Sequence, residues 1–140
     1  MNTSDKVYVF NLDVKNDSRG KMCIGEYCKN LPFLVKRIFF QYDFSQESCR
    51  GQHANINSSF VFICIKGSCT INVDDASNKK SFTLNNPINA LYVAKKTWKE
   101  MTNFSNDCIL LVLSDTEYNE KEYIKDYNVF LNETRMQGDN

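Results

Sequence analysis

The sequence predicts an all-β fold, a closed barrel or jelly roll, with a single helix at its C-terminal end. Three observations support this prediction. Apolar and polar residues alternate with a period of two, in short runs, from the N-terminus to about Ser114. The runs are separated by short turns, and no helical pattern lies between them. After Asn119 the apolar residues recur with a helical period instead. Barrels and jelly rolls suit many short strands because they leave few exposed edges.

The predicted strands of the first half are separated by turn-forming residues. Residues 6–11 alternate as a strand, and residues 16–20 (NDSRG) form a turn. Residues 21–27 and 33–43 follow as strands. Pro32 precedes the second of these, where its missing N–H does little harm. Residues 60–66 and 68–74 form a hairpin that turns at Gly67.

The second half continues the same pattern. The polar residues 74–80 form a turn before a strand at 81–84, and Asn-Asn-Pro at 85–87 forms the next turn. Further strands are predicted at 90–94, 98–103 and 108–113, so that the series comprises about nine to eleven strands. The length of 140 residues fits a single domain, residues 1–140, with its barrel at about 5–115.

A helix is predicted at about residues 119–133. Asn119 is a favourable N-cap, and Glu122 follows three residues later at the capping-box position. Tyr123, Tyr127 and Phe130 then fall on one face, together with Leu131, so the helix should pack on the barrel.

The composition excludes some classes of function. Seventeen basic residues balance seventeen acidic ones, so the chain lacks the basic excess typical of nucleic-acid binding. Its apolar runs are far shorter than a membrane span. The six cysteines form no C-x-x-C pair, and no secretory segment precedes them. We therefore predict reduced thiols in a cytoplasmic protein that binds neither nucleic acid nor membranes.

The only histidine of the chain, His53, lies in the stretch 50–55 (RGQHAN). Imidazole has an unperturbed pKa that lets it give and take protons near neutrality. A lone histidine is often a buried packing residue, but the surrounding pattern favours a functional role here.

Small jelly rolls of the cupin type resemble this layout, and many of them hold a metal ion through histidines and a glutamate. When the chain is laid on the two cupin motifs, His53 and Asn55 take the His-x-His positions. Phe60 takes the glutamate position and Lys99 that of the last histidine. Only His53 is a good ligand for a transition metal. We therefore predict a cupin jelly-roll barrel without a metal ion, which excludes metal-dependent oxygenase and isomerase chemistry.

A closer likeness depends on an ordered set of segments. They are 17–20 (DSRG), 50–54 (RGQHA), 91–93 (LYV), 98–101 (WKEM), 107–113 (DCILLVL) and 126–130 (DYNVF). In this order they resemble the nucleotide-sugar 3,4-ketoisomerases, which are cupin-fold enzymes acting on dTDP-4-keto-6-deoxyglucose. The resemblance spans about residues 5–131.

The resemblance implies an isomerase that needs no cofactor. A 4-keto, 3-hydroxy sugar would become a 3-keto, 4-hydroxy sugar, ready for amination at C3. The product would supply a 3-amino-3,6-dideoxysugar for surface polysaccharide such as lipopolysaccharide O-antigen. His53 would act as a base and then as an acid, which contributes about 10²–10⁴ in rate. The resemblance also implies a homodimer with N-terminal strands exchanged between subunits.

Seven residues are candidates for the site. Lys99 is a second catalytic candidate, because a lysine can donate to a developing oxyanion or relay a proton. Arg50 is suited to a diphosphate, and Tyr42 to stacking on thymine. The full set is His53 and Lys99 as catalytic residues, with Arg19, Arg37, Tyr42, Arg50 and Asn55 as substrate-binding residues.

The chain departs from the family pattern at two of these positions. Asn55 replaces the second histidine of His-Ala-His, and Lys99 stands where histidine or arginine is common. These departures leave two alternatives open. One is a non-catalytic dTDP-sugar-binding module, and the other is a sugar-nucleotide epimerase of the same barrel class, acting at C3 or C5.

Overall fold

A computed structural model describes residues 6–45 and 47–138. Within these residues it contains twelve strands, one short 3₁₀ helix and one α-helix. In chain order the strands are β1 (Val7–Asn11), β2 (Asp13–Asp17), β3 (Gly20–Ile24), β4 (Arg37–Gln41), β5 (Arg50–Asn55), β6 (Phe60–Lys66), β7 (Cys69–Asp74), β8 (Lys79–Leu84), β9 (Asn89–Val93), β10 (Trp98–Thr102), β11 (Ile109–Ser114) and β12 (Tyr123–Ile124). The 3₁₀ helix spans Glu120–Glu122 and the α-helix α1 spans Tyr127–Gly138.

Ten of these strands form two antiparallel sheets of five. The first sheet has the order β1-β9-β6-β11-β4, and the second has the order β12-β5-β10-β7-β8. Side chains from both sheets share one buried core, in which Phe62 of β6 and Leu110 of β11 meet Ile71 of β7 and Met101 of β10. Two sheets packed on a common core form a jelly roll.

The alternation seen in the sequence explains this packing. Along β6, Phe60 and Phe62 face the core between the sheets, while Val61 and Ile63 face the other side. That second face of the first sheet is also covered, by a cluster that includes Phe33 from the segment before β4. Because β6 is buried on both faces, it reads as a continuous apolar run rather than a clean alternation.

The predicted fold class, an all-β jelly roll with a C-terminal helix, is confirmed. The two sheets remain open, so of the two predicted architectures, a closed barrel or a jelly roll, the structure has the jelly roll. The predicted strand at 60–66 matches β6 in full, whereas the strand predicted at 33–43 is shortened to Arg37–Gln41.

The helix boundaries predicted from the sequence are also wrong. Asn119 caps the 3₁₀ helix rather than α1, and its side chain accepts a hydrogen bond from the backbone N–H of Lys121. Tyr123 then enters β12, which pairs with β5 opposite Asn55. The α-helix begins only at Tyr127, and Phe130 packs with Trp98 on the outer face of the second sheet. Strand pairing thus overrides the capping-box pattern.

Strands β2 and β3 form a hairpin of their own. They pair only with each other among the described strands, and nearly all of their side chains are exposed. The turn predicted at 16–20 is narrower in the structure, because β2 continues to Asp17 and Gly20 begins β3 with a φ of +135°. An isolated two-stranded hairpin is marginally stable in water.

None of the helices in the described ranges is long and apolar enough to cross a membrane.

Candidate active site

A cavity of about 670 Å³ lies between the two sheets. Its walls come from β4 and β6 of the first sheet, from β5 and β10 of the second, and from the segment that leads to β12. Aromatic rings line it at Phe39, Phe60, Tyr118 and Tyr123. Its volume falls in the range typical of small-molecule sites, which are apolar with a few polar groups.

A bulge in β5 places His53 in this cavity. Gly51 and Gln52 both have positive φ values, of +83° and +60°, and the pairing of β5 with β10 shifts register at this point. A Cβ at Gly51 would lie 2.8 Å from the carbonyl oxygen of Lys99, so the close approach of the two strands requires glycine. The bulge aligns His53 directly opposite Lys99.

The imidazole of His53 is held in its neutral form. Burial, which is the larger cause, and the positive charge of Lys99 together lower the pKa of His53 to about 4. The ring lies 4.7 Å from that of Tyr123, measured between centroids. At neutral pH the side chain therefore has a free nitrogen lone pair that can accept a proton.

Lys99 is a buried amine on the neighbouring strand. Its residue is only 3% exposed, and its Nζ donates a hydrogen bond of 2.8 Å to Oδ1 of Asn55. The Nζ also lies 4.5 Å from the centroid of the Phe60 ring. Burial lowers the pKa of Lys99 to about 7, against the opposing effect of the Glu122 charge. Near neutral pH the group can both donate and accept a proton.

Asn55 and Glu122 support Lys99 from behind. Asn55 is fully buried, and its Nδ2 donates a hydrogen bond of 2.7 Å to Oε1 of Glu122. Glu122, Asn55 and Lys99 are therefore linked in this order by a continuous chain of hydrogen bonds. Asn55 does not line the cavity, since both ends of its amide are occupied below the surface. Sequence reasoning missed Glu122, whose position resembled a helix-capping residue.

Two arginines contribute positive charge to the cavity. The Arg37 guanidinium lies 5.8 Å from the ring centroid of Phe60 and 5.6 Å from that of Tyr118. Its Nη2 donates a weak hydrogen bond of 3.3 Å to Ser114, while its Nε is buried and has no partner among the described residues. Arg50, at the start of β5, is exposed and also lines the cavity.

The other two predicted residues lie elsewhere in the described chain. Arg19 is in the turn between β2 and β3, where it forms an exposed ion pair of 2.7 Å with Asp17. Tyr42 follows β4, is 57% exposed and stacks on Phe40 at a centroid distance of 6.0 Å. Neither side chain lines the cavity, so their roles in binding substrate remain predictions.

The donor set of the cavity does not fit a cupin metal. Among the described residues it offers one imidazole and the exposed thiol of Cys49, and the buried carboxylate of Glu122 already accepts a hydrogen bond from Asn55. Transition metals in proteins require three or four such ligands. The absence of a catalytic metal therefore remains a prediction that the chemistry of the residues supports.

A second cavity, of about 430 Å³, lies on the outer face of the second sheet against Tyr127 of α1. It is lined by Trp98, Lys79 and two acidic residues, Glu100 and Asp74, and Asp74 accepts a hydrogen bond from the Tyr127 hydroxyl. It contains neither His53 nor Lys99. The cavity between the sheets is therefore the better candidate for the chemistry.

Comparison with known proteins gives a consistent result. The family model described as FdtA, WxcM-like, C-terminal, matches residues 5–135. A TDP-4-oxo-6-deoxy-alpha-D-glucose-3,4-oxoisomerase from Aneurinibacillus thermoaerophilus is 40% identical over 114 residues, which cover 81% of this chain and 82% of that protein.

Solved structures agree with these matches. The TDP-fucose-3,4-ketoisomerase WlaRA from Campylobacter jejuni is 45% identical, with a TM-score of 0.89, and the match covers 93% of this chain and 96% of that one. The 3,4-ketoisomerase QdtA from Thermoanaerobacterium thermosaccharolyticum is 28% identical, with a TM-score of 0.90 and coverage of 94% and 95%. That structure is a histidine-to-asparagine mutant in complex with TDP-4-keto-6-deoxyglucose.

Proposed function

The chain belongs to the FdtA, WxcM-like, C-terminal family, and we propose that it converts a dTDP-linked 4-keto-6-deoxyhexose into its 3-keto isomer. The observation that carries this proposal is the pairing of a neutral imidazole, His53, with a buried amine, Lys99, on adjacent strands facing one cavity. The relatives that are at least 30% identical are 3,4-ketoisomerases, so the binding-module and epimerase alternatives are not favoured.

The first half of the reaction removes the hydrogen at C3. The neighbouring C4 ketone acidifies this hydrogen, and the neutral imidazole of His53 accepts it as a proton. The electron pair of the broken C–H bond forms the C3–C4 double bond, and the C4 carbonyl oxygen gains negative charge. The ammonium of Lys99 donates a proton to that oxygen, which gives a neutral enediol.

The second half reverses these roles on the neighbouring carbon. The amine of Lys99 takes the proton from the C3 hydroxyl, and the C3–O bond becomes a carbonyl. The imidazolium of His53 returns a proton to C4, and both side chains regain their starting state. One neutral base and one cationic acid thus suffice, and the reaction as a whole neither adds nor removes electrons.

The hydrogen-bonded chain behind Lys99 explains how it performs its role in place of a histidine. Asn55 fixes the position of Nζ through its Oδ1, and Glu122 holds the amide of Asn55 in that orientation. The negative charge of Glu122 raises the pKa of Lys99, which opposes the effect of burial. Asn55 and Glu122 are therefore positioning residues, and Asn55 need not contact the sugar.

Arginines and aromatic rings are suited to the nucleotide part of the substrate. The open guanidinium of Arg50 at the cavity rim can bind a diphosphate, and the unpartnered Nε of Arg37 offers a further donor. Tyr118 and Tyr123 provide flat surfaces on which a nucleobase can stack.

We further propose a homodimer in which the β2–β3 hairpin packs on the partner subunit. The hairpin pairs with no other described strand, and exposed apolar side chains at Val14 and Met22 need a cover. Light scattering of the full chain should give twice the mass calculated from the sequence, and a monomeric mass would contradict this proposal.

The remaining expectations are a single domain, a cytoplasmic location and a place in 3-amino-3,6-dideoxysugar synthesis. All three are proposals, and the pathway agrees with a substrate that is linked to dTDP. The reaction itself is tested by incubation with dTDP-4-keto-6-deoxyglucose and a C3-specific aminotransferase. Formation of the 3-amino sugar by the wild-type protein, and its loss in His53→Asn, is the expected result. If no aminosugar forms, or if His53→Asn matches the wild type, the proposal is wrong.

A further inference from the structure

Three cysteines meet inside the jelly roll, away from His53. Cys64 ends the inward-facing row of β6, Cys69 begins β7 and Cys108 immediately precedes β11. Each is at most 1% exposed. Their three sulfur atoms all lie within 4.8 Å of one another, and the Sγ atoms of Cys64 and Cys108 are 3.8 Å apart. The spacing of the cysteines in the sequence does not reveal this cluster, because it is the pairing of β6 with β11 that brings Cys108 beside Cys64.

We propose that Cys64, Cys69 and Cys108 form a binding site for one thiophilic d¹⁰ metal ion of the zinc and cadmium class. Zinc–thiolate bonds of about 2.3 Å place the sulfur atoms about 3.8–4.0 Å apart in tetrahedral or trigonal geometry. The measured separation of Cys64 and Cys108 already has this value. The three sulfurs therefore require little movement to become a ligand set.

The ligand types define the class of ion. Three sulfur donors select soft metals, whereas magnesium and calcium require oxygen donors. The only imidazole of the chain, that of His53, lies in the other site, so nitrogen donors play no part. Metal ions bound by thiolates displace the thiol protons, which makes binding favourable at neutral and mildly alkaline pH.

Two short segments lie beside the cluster, one between Cys64 and Cys69 and the other just before Cys108. The turn at Gly67 packs directly against the loop that carries Ser105 and Asp107. The turn and loop are held together by a hydrogen bond of 2.9 Å from the Ser68 N–H to the Ser105 hydroxyl. Ser105 in turn donates to Asp107 at 2.8 Å. Both segments are at least partly exposed, so separation of the turn from the loop would open a short path for an ion.

Packing is the competing explanation, because buried cysteines often serve as small apolar side chains. The two explanations differ in what cadmium does to the reduced protein. A variant of the full chain with Cys23, Cys28 and Cys49 replaced by serine keeps the cluster and removes the exposed thiols. This variant is titrated with cadmium chloride under anaerobic conditions. Sulfur-to-metal charge-transfer absorption and ¹¹³Cd NMR report the number of thiolates bound.

The expected result is one cadmium ion per chain with the NMR shift of a three-thiolate site, and a Tm that rises with cadmium concentration. Adding Cys69→Ala should abolish that shift and weaken binding by at least roughly tenfold, since even outer-shell changes cost 10–100-fold. Cys108→Ala provides the same test at a second position if Cys69→Ala does not fold. No cadmium binding in the variant that retains the cluster, or equal binding after loss of Cys69 or Cys108, would overturn the proposal.

Discussion

Replacing Lys99 with methionine should stabilise the protein at neutral pH and abolish its activity. The pKa of Lys99 falls from 10.5 to about 7 because its amine is buried. Each pH unit corresponds to about 1.4 kcal/mol, so the buried lysine costs roughly 4 kcal/mol of folding free energy at pH 7. Methionine removes this cost but leaves Oδ1 of Asn55 without its donor, at about 1–3 kcal/mol. The net gain at pH 7 is therefore roughly 1–3 kcal/mol.

The free energy of unfolding should depend on pH in the wild type, and this dependence determines at which pH Lys99→Met is the more stable protein. The unfolded chain binds the Lys99 proton more tightly than the folded chain, so the free energy of unfolding of the wild type should rise between about pH 7 and pH 10. Lys99→Met lacks this dependence. Its Tm should exceed that of the wild type by several degrees at pH 7, and the difference should vanish or reverse near pH 10.

Thermal unfolding followed by circular dichroism at several pH values checks this prediction, with the coupled aminotransferase assay for activity. Lys95→Met is the matched control, because Lys95 is an exposed lysine four residues away. This control should keep the pH dependence and activity of the wild type. If Lys99→Met is less stable than the wild type by the same amount at pH 7 and pH 10, the buried-ammonium argument fails.

Three further predictions concern Glu122, Gly51 and the absence of a catalytic metal. Glu122→Gln removes the charge that raises the pKa of Lys99, so the alkaline limb of the kcat/KM profile should move to lower pH. The control variant Glu120→Gln, at an exposed position, should leave that limb in place. Identical pH profiles for both variants would contradict the positioning role of Glu122. Gly51→Ala should cost roughly 2–4 kcal/mol of stability, because it combines a positive φ with a contact of 2.8 Å to the Lys99 carbonyl. Gly20→Ala, where a Cβ meets nothing within 4 Å, should cost less in the same denaturant titration; equal losses would mean that the close approach of β5 and β10 is unimportant. Dialysis against a chelator should leave the isomerase activity unchanged, and a loss that a divalent cation restores would refute the metal-free mechanism.

The sequence predicted the fold, and it indicated both members of the proposed catalytic pair, for clear physical reasons. Alternating polarity identifies strands one by one, and a single histidine leaves no choice of imidazole. Lys99 was proposed as the second member because it takes the position of the last histidine when the chain is laid on the cupin motifs. These predictions needed only local spacing and the identity of the side chains.

Local spacing in the sequence does not predict which distant strands come into contact, and the features that depend on such contacts were missed. Glu122 lies 67 positions from Asn55, and the pattern around it favoured a helix start instead of the short strand β12. The cysteine cluster was missed for the same reason, since it depends on which strands become neighbours. Arg19 and Tyr42 were predicted to bind substrate, yet both side chains are exposed and neither lines the cavity. Their positions reflect turns whose direction the sequence alone leaves open.

The role of His53 is tested most directly by hydrogen exchange at the sugar carbons in heavy water. The wild-type protein should convert dTDP-4-keto-6-deoxyglucose to the 3-keto isomer and introduce deuterium at C3 of recovered substrate or at C4 of product. The folded His53→Asn variant should bind the same nucleotide sugar but show neither conversion nor exchange. Exchange and conversion at the wild-type rate in that variant would contradict the account.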